Sequence, residues 1–125
     1  MKNKTLANSF TNAFNGIIHS IRFEKNMKIH ISVIILVIAA SIILKISETE
    51  CIMVALAAGG VLICELFNTA IEVLTDIIVD EVYHPKAKIV KDVAAGAVLV
   101  AAIVSVIVGY LVYFDKAISL IERLF

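Results

Sequence analysis

Three carboxylates and one amide on a single stretch of chain set the chemical question. The stretch Cys64-Glu65-Leu66-Phe67-Asn68-Thr69-Ala70-Ile71-Glu72-Val73-Leu74-Thr75-Asp76 continues an uncharged apolar run that begins at Cys51. On a helix each residue advances about 100°. Glu65 and Glu72 then differ by about 20° in azimuth, and Asp76 falls about 20° to the other side of Glu65. Asn68 and Thr69 share this stripe. An Asp at the centre of a membrane helix costs roughly 2.5–3.5 kcal/mol on insertion scales, so acids in such a place are functional candidates by default.

Several chemistries use acids arranged this way. Magnesium takes oxygen ligands, usually one or two carboxylates together with phosphate oxygens. Glu24 and Glu72 can supply the protein share, and Lys91 can meet phosphate as a point charge. Glu65 lies about two turns, roughly 10 Å, from Glu72 along the axis. A partly desolvated carboxylate there suits a general base acting on a lipid hydroxyl. Asn68 can orient either the metal or the hydroxyl. The same stripe also fits a proton or cation path in a non-catalytic membrane subunit, or plain interhelical hydrogen bonding by protonated acids. The pattern by itself leaves these three open. No GxxxxGK[ST] string occurs, so nucleotide chemistry here does not use a P-loop.

The elements that must position these groups are membrane helices. Of the 125 residues, 61% are hydrophobic, and the mean hydropathy is +0.99. The excess lies in long runs, which indicates an all-α integral membrane protein with a single domain over residues 1–125. Formal net charge is zero, giving no electrostatic case for nucleic acid. The first apolar run lacks a small-residue cleavage site, so it is expected to stay in the protein. Cys51 and Cys64 are about 20 Å apart along one helix and cannot bridge. His19, His30 and His84 show no zinc-ligand spacing.

Four elements are expected. Residues 5–24 form an amphipathic helix, with Phe10, Phe14, Ile17, Ile18 and Ile21 on one face, lying in the membrane interface or packed on the bundle. Membrane helices are expected at about 29–46, 51–79 and 92–114. Glu24 is the only acid in the first 47 residues, and it can pair with Lys28 at i+4. His30 and Lys45 can snorkel to lengthen the short first span. Ser47 to Glu50 reads as an acidic turn, and 80–91 as a loop. Gly59-Gly60 and Ala94-Ala95-Gly96-Ala97 allow close helix approach. Lys2, Lys4, Arg22, Lys25 and Lys28, with Lys86, Lys88 and Lys91, put the N-terminus and the 80–91 loop in the cytoplasm and the C-terminus outside. Glu24, the Glu72–Asp76 end of the acidic stretch and Lys91-Asp92 then meet at one membrane face.

These residues resemble a known family. Glu65-Leu66-Phe67-Asn68-Thr69-Ala70-Ile71-Glu72 matches the E-x-x-N-[ST]-A-I-E signature of the small prokaryotic diacylglycerol kinases, and Asp76 matches in position. Ala87 to Leu99 resembles that family's second block, and Glu24 sits where the family has an acid before its first membrane helix. The resemblance implies a homotrimer in the bacterial cell membrane. Each protomer would have three membrane helices and a surface helix, with active sites shared between protomers at the cytoplasmic surface. It implies phosphorylation of a membrane lipid with ATP and Mg2+. Glu65 corresponds to the general base, Glu24 and Glu72 to the metal-binding acids, and Lys91 and Asp92 to nucleotide-phosphate contacts. Glu81 and His84 fall in the loop that approaches the nucleotide, and Asn12 is the candidate for adenine contact. Asn68 and Asp76 are supporting residues, Asp76 by pairing with a loop lysine. The loop between Glu72 and Lys91 is one residue longer than in Gram-negative members. Glu24 to His30 and Ala87 to Ala97 are more similar to the Gram-positive branch, whose members mostly phosphorylate undecaprenol. That favours undecaprenol over diacylglycerol as the expected substrate.

Overall fold

The computed structural model describes residues 5–124. Lys2 and Lys4, used above to orient the chain, lie outside the described residues. Four helices follow one another: α1 Leu6–Phe23, α2 Lys25–Leu44, α3 Glu48–Val79 and α4 Pro85–Leu124. Three of them, α2, α3 and α4, are long and apolar enough to cross a membrane.

The helices α2, α3 and α4 begin before the expected 29, 51 and 92, and α4 runs past 114, for local reasons. By contrast, α2 stops at Leu44, short of 46, and α1 falls within 5–24. At the start of α3, the Ser47 hydroxyl accepts from the Glu50 N–H at 3.3 Å, while the Glu50 carboxylate accepts from the Ser47 N–H at 2.6 Å. This is a capping box. The expected acidic turn is therefore largely the first turn of α3. Most of the expected 80–91 loop is helix as well. Pro85 stands first in α4, where its missing N–H is no loss, and the His84 Nδ1 accepts the Lys86 N–H at 3.2 Å. Lys88 pairs with Asp92 one turn on, at 2.5 Å. Only 80–84 separate α3 from α4. Asp80 and Glu81 both take positive φ there, 55° and 59°, reversing the chain within a few residues. Downstream, α4 continues to Leu124 rather than ending at 114, with Ile118, Ile121 and Leu124 on its exposed surface.

Cross-helix contacts establish an up-down-up arrangement. At one end His30 meets Glu65, and Lys91 meets Asp76. Further along, the Ser105 hydroxyl donates to the Ala57 carbonyl at 3.0 Å. At the opposite end Ser41 meets Tyr113 at 2.7 Å, and Lys116 meets Glu50 at 3.3 Å. The N-terminus of α2, the C-terminus of α3 and the N-terminus of α4 thus share one end. Ser41 spends its one proton on the Val37 carbonyl at 2.7 Å, so Tyr113 is the donor between the two hydroxyls. Tyr113→Phe is expected to destabilise the bundle by about 0.6 kcal/mol and no more than ~1.7 kcal/mol. Ser41→Ala added to it should cost little further, which unfolding in detergent measures.

Buried apolar side chains are few among the described residues: Met27, Val61, Ala94, Val98 and Val112. Most of the apolar surface of the three long helices is uncovered by the chain itself, which suits a lipid solvent. On α1 the face carrying Phe10, Phe14, Ile17 and Ile18 is exposed and only Ser20 is buried. Of the two arrangements expected for α1, this one leaves its apolar face free for the membrane interface. A Cβ added at Gly59, Gly60 or Gly96 would meet nothing within 4 Å. The close approach expected at these glycines is therefore not made within the chain.

Candidate functional site

The acidic stripe forms on α3 as its spacing predicts. Glu65, Asn68 and Thr69 are buried, Glu65 to 1% exposure. The Thr69 hydroxyl donates to the Glu65 carbonyl one turn back at 3.0 Å. It therefore accepts from the Ser20 hydroxyl at 3.2 Å, tying α1 to the stripe. The Asn68 Nδ2 donates to the Glu72 carboxylate at 3.2 Å. Two acceptors on this stripe lie buried with no partner, Oε2 of Glu65 and Oδ1 of Asn68. A buried polar atom without a hydrogen bond is costly. The two atoms lie one helical turn apart on the stripe that carries Glu72.

Other elements bring charge to the same end of α3. The Nε2 of His30, on α2, stands 4.0 Å from the free Glu65 oxygen. The charges of Glu24 and Glu72 also act on the Glu65 carboxylate. Glu24 occupies the junction between α1 and α2, as C-cap of the first and N-cap of the second. No ion pair joins it to Lys28 among the described residues, so its carboxylate is not spent on the helix-stabilising pair that spacing allows. A hard cation would find oxygen donors in Glu24 and Glu72. Among the described residues no group of three or more His, Cys, Asp and Glu side chains gathers to hold a metal. Magnesium that arrives on phosphate needs only one or two protein carboxylates, and Glu24 and Glu72 are side chains of that kind.

The loop and the start of α4 enclose a second set of residues. Asp76, Glu81, His84, Lys88, Lys91 and Asp92 line one cavity of about 430 Å³. Its chemistry is mixed in sign, with two lysines facing three acids. Lys91 lies on Asp76 at 2.5 Å and also feels Glu72 and Glu81. Asp92 pairs with Lys88 on the exposed side of α4. Asn12 stands apart, on the exposed part of α1 and about 18 Å along that helix from Glu24.

Residue type and spacing point to Glu24, Glu65, Asn68, Glu72 and Lys91, and the family resemblance adds Glu81, His84, Asp92 and Asn12. They missed His30, read only as a snorkelling end residue, because its neighbour Glu65 lies 35 positions away and the contact depends on how α2 packs on α3. Ser20 was missed for the same reason. Its only sequence mark is a position beside the apolar face of α1.

Comparison with known proteins places the chain. A family model described as prokaryotic diacylglycerol kinase matches residues 11–113. A Bacillus subtilis (strain 168) protein named undecaprenol kinase is 40% identical over 108 residues, covering 86% of this chain and 87% of that protein. A Synechocystis sp. protein named diacylglycerol kinase is 40% identical over 112 residues, covering 90% of this chain and 64% of that protein. No solved structure matches. With the family model spanning most of its length and the signature acids gathered at one end of the helix bundle, this chain belongs to the prokaryotic diacylglycerol kinase family.

Proposed function

We infer that this protein is a membrane lipid kinase that transfers the γ-phosphoryl group of MgATP to a lipid hydroxyl, with undecaprenol as the acceptor. The observation that carries this reading is the buried Glu65 carboxylate, with one oxygen unpartnered, on the same stripe as Asn68 and Glu72. A base so placed reaches a hydroxyl at the boundary between lipid and the polar end of the bundle. The lipid oxygen attacks the γ-phosphorus in line and the bond to the β-phosphate oxygen breaks. The electron pair leaves with ADP, and Glu65 takes the hydroxyl proton. Glu24 and Glu72 would hold magnesium brought with ATP, which would neutralise phosphate charge, and Lys91 would move from Asp76 onto the phosphates. Glu81, His84 and Asp92 border the nucleotide, and Asn12 reaches toward adenine. Such transfer depends chiefly on positioning and electrostatics.

The lysines at the ends of α2 and α4 support a cytoplasmic site, with the C-terminus outside. The uncovered apolar faces of the helices support assembly as a homotrimer in the bacterial membrane, with sites completed between protomers. Similarity of the Glu24–His30 and Ala87–Ala97 segments to the Gram-positive branch supports undecaprenol over diacylglycerol, and the relative named undecaprenol kinase covers this chain along most of both lengths. Supplying each lipid with MgATP to the purified protein tests the reading directly. Lys91→Met should raise the KM for MgATP on the order of tenfold. It should also reduce the sensitivity of that KM to salt, because a point charge on phosphate is screened. An unchanged KM would remove Lys91 from the phosphate site.

A further inference from the structure

The surface helix meets the acidic stripe through one buried side chain. Among the described residues of α1 only Ser20 is buried, to 1% exposure. Its hydroxyl stands 3.2 Å from the Thr69 hydroxyl. Thr69 spends its own proton on the Glu65 carbonyl at 3.0 Å, so Ser20 is the donor between the two hydroxyls. Toward the start of α1 the helices part. A cavity of about 690 Å³ lies between them, with Ala13, Gly16 and Ile17 on one side and Ala70, Val73 and Ile77 on the other. No ion pair joins α1 to α3 among the described residues.

The proposed magnesium ligands lie close along the chain to this pair. Glu24 follows Ser20 by four residues, and the Glu24 N–H donates to the Ser20 carbonyl at 2.9 Å. Glu72 follows Thr69 by three residues of one continuous helix, about 4.5 Å along its axis. At Glu24 the backbone leaves helical geometry, with φ −87° and ψ 124°. Helix continuity therefore does not fix how α1 leaves α2, and the bend falls on the residue that carries the carboxylate. On the α2 side Met27 is buried to 2% exposure, but a thioether packs adaptably. A hydrogen bond on the α1 side sets both a distance and a direction.

We propose that Ser20 and Thr69 are positioning residues for Glu24: their hydroxyl pair docks the end of α1 on the stripe and so sets the Glu24 carboxylate relative to Glu72. This rests on the reading of Glu24 and Glu72 as magnesium ligands. Each of those acids stands about one helical turn from one half of the pair, so the pair ties together the two frames that carry them. Neither hydroxyl touches metal or substrate. Their contribution is to hold α1 in place before MgATP arrives.

The test compares Ser20→Ala and Thr69→Val with Thr69→Ser, which keeps the hydroxyl. In protein free of nucleotide and metal, hydrogen–deuterium exchange of the α1 amides should quicken about 3- to 10-fold in the first two and stay within about twofold in the third. Metal affinity is read separately, as binding of Mn2+ in the presence of the ATP analogue AMP-PNP, followed by the EPR signal of free Mn2+. Ser20→Ala and Thr69→Val should weaken it by about 3- to 10-fold, and the double variant should be no weaker than Thr69→Val alone, because both remove one bond. Tyr113→Phe, which removes a hydroxyl bond at the opposite end of the bundle, should change neither quantity, which separates the effect from a general loss of stability. The inference is overturned if Ser20→Ala and Thr69→Val leave either the α1 exchange or the Mn2+ affinity within about twofold, or if Thr69→Ser behaves like Thr69→Val. Glu24→Gln checks the reading beneath it. If that variant binds Mn2+ as tightly as the unaltered protein, the metal role of Glu24 fails and this inference with it. If Glu24→Gln loses affinity and Ser20→Ala does not, the inference alone fails.

Discussion

Glu65→Gln is expected to lower lipid phosphorylation by about 10²- to 10⁴-fold, the span that a positioned general base contributes, while MgATP still binds. The substitution preserves shape and removes only the ability to take a proton. Its separation from Glu72, roughly 10 Å along α3, leaves the proposed metal ligands and Lys91 untouched. The fold should survive as well. A buried acid in a membrane helix is a cost, and the neutral amide relieves it, so the unfolding midpoint in detergent should hold or rise. Inactive protein with an intact fold and normal nucleotide binding is therefore the expected combination. A rate close to that of the unaltered protein would remove Glu65 as the base.

Glu72→Gln is expected to act on the other substrate. The Asn68 amide donates to the Glu72 carboxylate at 3.2 Å, and a glutamine carbonyl can accept the same bond. The local geometry is retained and the negative charge is lost. Residues that merely support a metal ligand change affinity by about 10- to 100-fold when altered, so loss of a ligand should raise the magnesium requirement at least that much. Titrating magnesium at fixed ATP reads this directly. The KM for the lipid should change little, since the lipid is placed by the deeper part of the stripe. A magnesium requirement equal to that of the unaltered protein would take Glu72 out of the metal site. The contrast between the two variants is itself informative, because a proton path running through both acids has no reason to separate lipid turnover from magnesium affinity.

The parts of the molecule legible in the sequence are those that depend on local periodicity. Ile29–Leu44, Cys51–Val79 and Val93–Phe114 are apolar over spans that a membrane requires, and each lies within a long helix. The stripe of Glu65, Asn68 and Glu72 needs only 3.6 residues per turn, and it forms as a chain of side-chain contacts along α3. Boundaries are less legible because charge and capping point to different helix ends. Ser47 and Glu50 form a capping box that extends α3 by a turn. Lys86 to Lys91 reads as loop by charge, but Pro85 at the first helical position and the Lys88–Asp92 pair favour helix. Contacts between helices were the least legible. His30 with Glu65, Ser20 with Thr69 and Ser41 with Tyr113 join residues 35, 49 and 72 positions apart, and no local pattern encodes how two helices turn their faces toward each other.

The central claim is that the acids at this end of the bundle serve phosphoryl transfer to a lipid alcohol. The most direct measurement incubates the purified protein in detergent with MgATP and either undecaprenol or diacylglycerol, and follows ADP and the phosphorylated lipid together. The account predicts one polyprenyl phosphate for each ADP, with undecaprenol consumed at the higher kcat/KM. Failure to phosphorylate either lipid, or release of ADP without a phosphorylated lipid, would contradict it.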